Sequence, residues 1–111
     1  AMFAESLHLA LEMGQPDLVA GVRTNLGVLA ARRDNYADAA QHLQEALAIY
    51  RHLGEPIGSA ATLQYLGEIA YSAGDLQQAA EQWSESRQLF VSAGLVDRAQ
   101  QVSQRLRNLG R

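Results

Sequence analysis

The chain contains no cysteine and no lysine, and each absence excludes a class of site. Without cysteine there is no disulfide framework and no thiolate ligand for a metal ion. The nine basic residues are all arginine and are outnumbered by twelve carboxylates, which leaves a net charge of −3. A surface that binds nucleic acid needs clustered basic charge, so this balance argues against RNA or DNA as a partner.

Long apolar runs are also missing. No apolar segment approaches the ~20 residues that a membrane-spanning helix requires, and the N-terminal residues lack the basic and apolar regions of a secretory signal. We therefore expect a cytoplasmic protein with no membrane contact. Abundant alanine and arginine without lysine is typical of GC-rich bacterial genomes. The 111 residues, of which 48% are apolar, suffice for one small domain over 1–111.

No group of residues has the spacing of a catalytic or cofactor site. The three histidines, His8, His42 and His52, do not pair on one helix face as a metal site would require. The sequence has no glycine-rich phosphate-binding motif, and its serines have no nucleophile-turn context. We expect no enzyme activity, no metal and no cofactor.

The feature that the sequence does have is a repeat of 40 residues. Gly14, Gly54 and Gly94 recur at this interval, and so do the pairs Leu26-Gly27 and Leu66-Gly67. Such a period is typical of stacked-repeat proteins, in which each unit buries its apolar face only against its neighbours. The expected product is an elongated binding surface and not a catalytic cavity.

Apolar residues recur at helical spacing in every segment between the breaks. Glycine commonly closes a helix, and Asn35 and Asp75 have side chains that can cap the helix that follows. The joints at Asp34-Asn35 and Gly74-Asp75 are predicted to be tight two-residue turns, whereas the joints between repeats are expected to be longer. The predicted all-α structure has no strand, and its helices cover residues 2–13, 17–33, 36–53, 57–73, 76–93 and 96–109.

Small residues mark the positions where two helices of one hairpin are expected to approach closely. Gly27 is predicted to lie near Ala39, and Gly67 near Ala79. A larger side chain at these positions would force the helices apart. The space between hairpins is expected to be filled by the larger side chains Leu43, Tyr50, Trp83 and Phe90.

Two sets of small and apolar residues share one internal spacing: Leu26-Gly27, Ala30, Tyr36, Ala39, Leu43 and Ala46, and then Leu66-Gly67, Ala70, Leu76, Ala79 and Trp83. With this pattern the chain resembles the tetratricopeptide repeat family, in a form with 40 residues per unit as in large bacterial regulators. The resemblance implies a right-handed superhelical α-solenoid of antiparallel helix hairpins with about six helices. These would be a second-type helix of a truncated repeat over 2–13, repeats over 17–53 and 57–93, and a C-terminal capping helix over 96–109.

The resemblance also implies a binding surface. In tetratricopeptide repeat proteins the first helix of each hairpin lines a concave groove, so the expected partner is a protein or peptide, or another domain of the same chain. The lysine-containing clamp that some members use for a terminal carboxylate is absent, because the chain has no lysine. The repeat alignment places these residues in the groove: Thr24, Asn25, Val28, Arg32, Gln64, Tyr65, Glu68, Tyr71, Gln101, Arg105 and Asn108.

We expect a non-catalytic protein–protein interaction module from a larger bacterial cytoplasmic protein, and family analogy favours a transcriptional or signalling regulator. The alternative is a structural spacer or self-association unit with no external ligand. Phe3, Leu7 and Leu11 would present uncovered apolar area, because the helix over 2–13 lacks its hairpin partner. Either the natural chain continues upstream or this face forms a homodimer.

Overall fold

Five α-helices make up nearly all of residues 14–110, the part of the chain that the computed structural model describes. No strand occurs in this part, so the all-α prediction is confirmed for it. None of the five reaches the length and hydropathy that crossing a lipid bilayer demands. The predicted helix over 2–13 lies outside the described residues. In chain order the helices are α1 (Pro16–Arg32), α2 (Tyr36–Leu53), α3 (Pro56–Ser72), α4 (Leu76–Ser92) and α5 (Val96–Leu109).

The four joints between these helices are built in the same way. In each, the amide after a left-handed residue donates to a carbonyl in the last turn of the preceding helix, as Glu55 N does to Tyr50 O at 2.9 Å. Only two or three residues separate consecutive helices, so neighbouring helices run antiparallel. The left-handed residues are Asp34 (φ 59°), Gly54 (φ 66°), Gly74 (φ 84°) and Gly94 (φ 78°).

The expectation that tight turns alternate with longer joints is wrong. Pro56 follows Gly54 closely, as a linker residue would, but it is the first residue of α3. Proline suits this position because the amide that it lacks would have no partner inside the helix. The joint between the two hairpins, Gly54 and Glu55, is therefore shorter than the joints within them.

Side-chain caps fix where three of the helices begin. Asn35 accepts a hydrogen bond from Asp38 N at 3.4 Å, which confirms its predicted role at the start of α2. Asp75 accepts from Gln78 N at 3.1 Å at the start of α4. Glu55 does the same for α3 by accepting from the amide of the second helical residue, Ile57, at 3.1 Å.

The helices pack as a linear array in which each lies mainly against its neighbours in sequence. The pairs α1–α2 and α3–α4 pack most extensively, α2–α3 and α4–α5 join them, and α1 touches α3 lightly. The overall dimensions are 46 × 31 × 18 Å. Two core clusters follow this order, because one is centred on Leu43, Leu47 and Leu63 and the other on Trp83 and Phe90. This is the arrangement of an all-α solenoid.

Glycines let large side chains reach the backbone of the opposite helix. A Cβ on Gly27 would lie 2.7 Å from Cγ of Leu43 and 3.2 Å from the Ala39 carbonyl oxygen. A Cβ on Gly67 would lie 2.9 Å from Cε2 of Trp83 and closer still to its Nε1 and Cδ1. Gly27 thus lies close to the backbone of Ala39, as predicted, but its shortest contact is with Leu43, and the three atoms nearest to a Cβ on Gly67 all belong to Trp83 rather than to Ala79. The two large side chains pack within the hairpins as well as in the clusters between them.

A glycine also faces a large side chain at the contact between the two hairpins, α1–α2 and α3–α4. Gly58 on α3 faces the ring of Tyr50 on α2, and a Cβ there would lie 2.5 Å from Cδ1 of that ring. The predicted position of Tyr50 between hairpins is therefore confirmed. Phe90 is fully buried with Ala60, Ala99 and Val102, which confirms its placement between α4 and the helices beside it.

The glycine contacts lead to a stability prediction. Gly67→Ala should destabilise the chain by about 1–3 kcal/mol, because the added methyl group overlaps the rigid indole of Trp83. Gly21→Ala is the matched control, since a Cβ at this helical glycine meets nothing within 4 Å. That change should stabilise by about 0.4–1 kcal/mol through the unfolded chain. Urea denaturation measures both, and equal stability of the two variants would contradict the packing described here.

Candidate functional site

Two clefts open along the side of the array formed by α1, α3 and α5, which we call the cleft face. The first, of ≈ 360 Å³, lies between α1 and α3. The second, of ≈ 390 Å³, lies between α3 and α5. Glu68 and Ser72 line both clefts, so the two form one continuous surface.

The first cleft brings together four of the residues that the sequence placed in the groove: Val28, Arg32, Tyr65 and Glu68. Its walls are otherwise mostly apolar. Tyr65 is 40% exposed and stands at the rim, whereas Leu43 and Ile69 are buried beneath it. The remaining lining residues, which were not among the predicted groove residues, are Ala31, Tyr36, Leu43, Ile69 and Ser72.

The second cleft contains four predicted groove residues, Glu68, Tyr71, Arg105 and Asn108. Trp83 forms part of its wall although it is only 3% exposed, and Ser72 completes the lining. The indole N–H of Trp83 donates to the Gln64 carbonyl oxygen at 3.1 Å, which fixes the orientation of the ring.

Four of the predicted groove residues line neither cleft. Asn25 is exposed on α1, and Thr24 directs its hydroxyl to the Ala20 carbonyl oxygen at 2.9 Å. Gln64 is half-buried, and its backbone carbonyl receives the Trp83 N–H. Gln101 lies apart, in a polar depression on α5 that it shares with Gln104 and Arg107 among others.

The lining residues that sequence reasoning missed differ in how well the sequence signals them. Ser72 lies four residues after Glu68 and seven after Tyr65, so the same helical stripe would have included it. Tyr36 lies in the first turn of α2, just across the joint from Arg32. Trp83 was predicted to be core, and it is; only the folded chain shows that the ring also lines a cleft.

Charged and aromatic side chains meet in the second cleft. Nη2 of Arg105 lies 2.9 Å from Oε1 of Glu68, and Cζ of Arg105 lies 5.9 Å from the centre of the Trp83 ring. The ring of Tyr71 lies 6.0 Å from that of Trp83, tilted by 33°. Burial raises the pKa of Glu68 above its ordinary value, and the Arg105 guanidinium opposes part of this rise.

Other charged groups tie helices together away from the clefts. Nη1 of Arg23 lies 2.9 Å from Oε2 of Glu45 and 3.2 Å from Nδ1 of His42. This contact gives His42 a structural role between α1 and α2. Within residues 14–110, no three side chains of the kinds that bind metals come together. The proposed self-association residues Phe3, Leu7 and Leu11 lie outside the described residues, and that hypothesis stays a prediction.

Comparison with known proteins agrees with this architecture. The family model described as Tetratricopeptide repeat matches residues 18–90, which is more than half of the chain. Among solved structures, the chain is similar to the crystal structure of BtubC (BKLC) from P. vanneervenii, with a TM-score of 0.62 and 17% identity over 96% of this chain and 53% of that chain. The chain thus spans roughly half the length of BtubC, and at this identity the likeness shows the fold alone. No curated protein matches the chain.

The setting of Glu68 leads to a prediction on pH dependence. We expect carboxyl-carbon NMR shifts to give Glu68 a pKa above its ordinary value of 4.5. Because the folded chain then holds this proton more tightly than the unfolded chain, the resulting stabilisation is fully present below the unfolded pKa and is lost as the pH rises through the folded pKa. The unfolding free energy of the wild type minus that of Glu68→Gln should therefore fall as the pH rises through this window.

Two arginine variants check the cause of this behaviour. Arg105→Gln should raise the pKa of Glu68 further, because it removes the positive charge that now lowers it. Arg107→Gln removes the same charge from the same helix but leaves the ion pair intact, and it should leave the titration unchanged. A Glu68 pKa at or below 4.5, or equal effects of the two variants, would contradict the described setting.

Proposed function

Since the chain belongs to the tetratricopeptide repeat family, we propose that it is a non-catalytic interaction module that binds an extended segment of a partner protein on the cleft face. Repeats of this family generally mediate protein–protein interactions and are generally non-catalytic. The observation that supports this location is the pair of adjoining clefts on the cleft face. They extend from α1 across α3 to α5, and they share Glu68 and Ser72.

The size and lining of the clefts suit side chains of such a segment. Each has a volume within the range of about 300–1,000 Å³ that is typical of small-ligand sites. The lining of the first cleft is mostly apolar, and the second combines the aromatic rings of Tyr71 and Trp83 with charged and polar side chains. Tyr65 and Tyr71 are 40% and 55% exposed, and tyrosine is among the residues that contribute most to binding at interfaces. An extended segment would place one side chain in each cleft.

Polar groups along the same face can bind the backbone of the segment. Asn25 is exposed on α1, and Asn108 lines the second cleft on α5. A side-chain amide both donates and accepts hydrogen bonds, so it can pair with a peptide unit of any sequence. Oδ1 of Asn108 accepts a hydrogen bond from Gln104 Nε2 at 3.2 Å, and this bond holds the side-chain amide in place.

The context that we propose is a larger bacterial cytoplasmic regulator, transcriptional or signalling, in which the bound segment belongs to another protein or to another domain of the same chain. Family analogy and the arginine-rich, lysine-free composition support this context. The spacer or self-association function remains the competing hypothesis, and the clefts do not favour it.

Site-specific photocrosslinking tests the proposed surface. A benzophenone amino acid at Tyr65 should capture a protein from bacterial lysate, whereas the same group at Gln88, which is exposed on α4 and lines neither cleft, should not. With the captured partner purified, changing Asn25, Tyr65 and Tyr71 to Ala should weaken binding by about 1–2 kcal/mol for each tyrosine. The matched control changes Gln41, Gln44 and Gln88, exposed on α2 and α4, to Ala.

Equal weakening by the two triple variants would contradict binding on the cleft face. Light scattering at micromolar concentration tests the competing hypothesis in the same preparations. A dimer that Leu7→Asp disrupts, together with no capture from Tyr65, would favour self-association instead.

A further inference from the structure

The second cleft already holds a guanidinium group, that of Arg105. This group pairs with the Glu68 carboxylate at 2.9 Å and lies 5.9 Å from the centre of the Trp83 ring. The ring of Tyr71 stands beside that of Trp83, 6.0 Å away. The guanidinium of Arg105 thus lies between a carboxylate and the Trp83 ring, so a planar cation at this position is stabilised by charge and by the ring quadrupole.

The second cleft has room for another side chain beside Arg105. The cleft has a volume of ≈ 390 Å³ with Arg105 in place. The Arg105 side chain is itself 46% exposed, so it can turn into solvent without disturbing the core. The backbone of α5 is held separately, by Ala99 and Val102 in the core cluster.

We propose that Glu68, Trp83 and Tyr71 form a receptor for an arginine side chain of the partner segment, and that Arg105 occupies this receptor until the partner's arginine displaces it. The proposal rests on the proposed function of the cleft face and names the chemistry of its ligand. The chain itself shows which group fits, because its own guanidinium fills the position.

The charges around the cleft favour a cation over an anion. Among the residues that line the second cleft, Arg105 carries the only positive charge, and Arg32 lines the first cleft alone. Burial raises the pKa of Glu68 even with Arg105 beside it, so one guanidinium does not fully compensate the loss of water around the carboxylate. The net charge of −3 also attracts a basic segment.

The geometry favours arginine over lysine. A guanidinium is planar, can stack on an aromatic ring and can present two N–H groups to one carboxylate, whereas an ammonium is a strongly hydrated point charge. Exchange of Arg105 for another arginine conserves the ion pair and the stacking. This subsite therefore selects for arginine, while the rest of the segment supplies most of the affinity.

The test uses the purified 111-residue chain and needs no identified partner. The probe is the tripeptide N-acetyl-Gly-Arg-Gly-amide, and the reporter is Trp83, the single tryptophan, followed by its fluorescence and by the NMR shift of its indole N–H. We expect weak, saturable binding. The tripeptide with citrulline, which has the shape of arginine without its charge, should not bind, and neither should the tripeptide with glutamate.

Variants then test displacement. Arg105→Gln should tighten binding of the arginine tripeptide by about tenfold, because it removes a competitor held by one exposed ion pair and one cation–π contact. Glu68→Gln should abolish binding. Arg107→Gln and Glu81→Gln, which change the same charges outside the cleft, should bind as the wild type does.

The proposal is overturned if the arginine tripeptide fails to bind, if citrulline or glutamate binds as well as arginine, or if Arg105→Gln leaves the affinity unchanged or weakens it. These outcomes are separate from the fate of the proposed function. Capture of a partner from Tyr65 in the first cleft, combined with no tripeptide binding, would retain the interaction module and remove the arginine receptor.

Discussion

The position of α3 depends on two contacts in which an aromatic ring lies directly against a glycine. Tyr50 of α2 covers Gly58 on one side, and Trp83 of α4 covers Gly67 on the other. Neither glycine has room for a Cβ, so the helix is held between two rigid rings at a fixed distance. Because Tyr65, Glu68, Tyr71 and Ser72 all belong to α3, these two contacts set the position of the wall that α3 gives to both clefts.

The ion pairs have a different effect from this apolar packing. Arg51 and Glu85 pair between α2 and α4, and Arg105 and Glu68 pair between α5 and α3, so each ion pair skips the helix that lies between in sequence. Exposed pairs of this kind contribute little stability. Their effect is to orient side chains on each surface of the array, which is how a carboxylate and a guanidinium come to face each other in the second cleft.

The sequence predicts the helices and much of the cleft face, because the repeat and the helical period are local signals. It places Val28, Arg32 and Tyr65 on one surface and identifies Asn35 as a cap. It fails where a result depends on which residues meet across helices. The glycines were paired with alanines because both are small; the folded chain does bring Gly27 near Ala39, but the shortest contacts of the two glycines are with Leu43 and Trp83.

The same limit explains the parts of the site that were missed. Glu68 and Arg105 were both predicted groove residues, but they are 37 positions apart on helices that are not consecutive, and no local pattern predicts the ion pair between them. The repeat alignment of the last helix assigned Gln101 to the groove, but this residue lines a separate depression instead. The joints were misjudged because proline was interpreted as a linker residue, although it begins the helix.

The equal spacing of the left-handed residues, at 34, 54, 74 and 94, constrains how such an array can change in length. Each joint reverses the chain direction after 20 residues, so successive helices alternate between the two surfaces. Gain or loss of a single helix would transfer every later helix to the opposite surface and divide the row of clefts. Growth or shortening that preserves the row must therefore occur in even numbers of helices, which makes the pair, rather than the individual helix, the unit on which duplication can act.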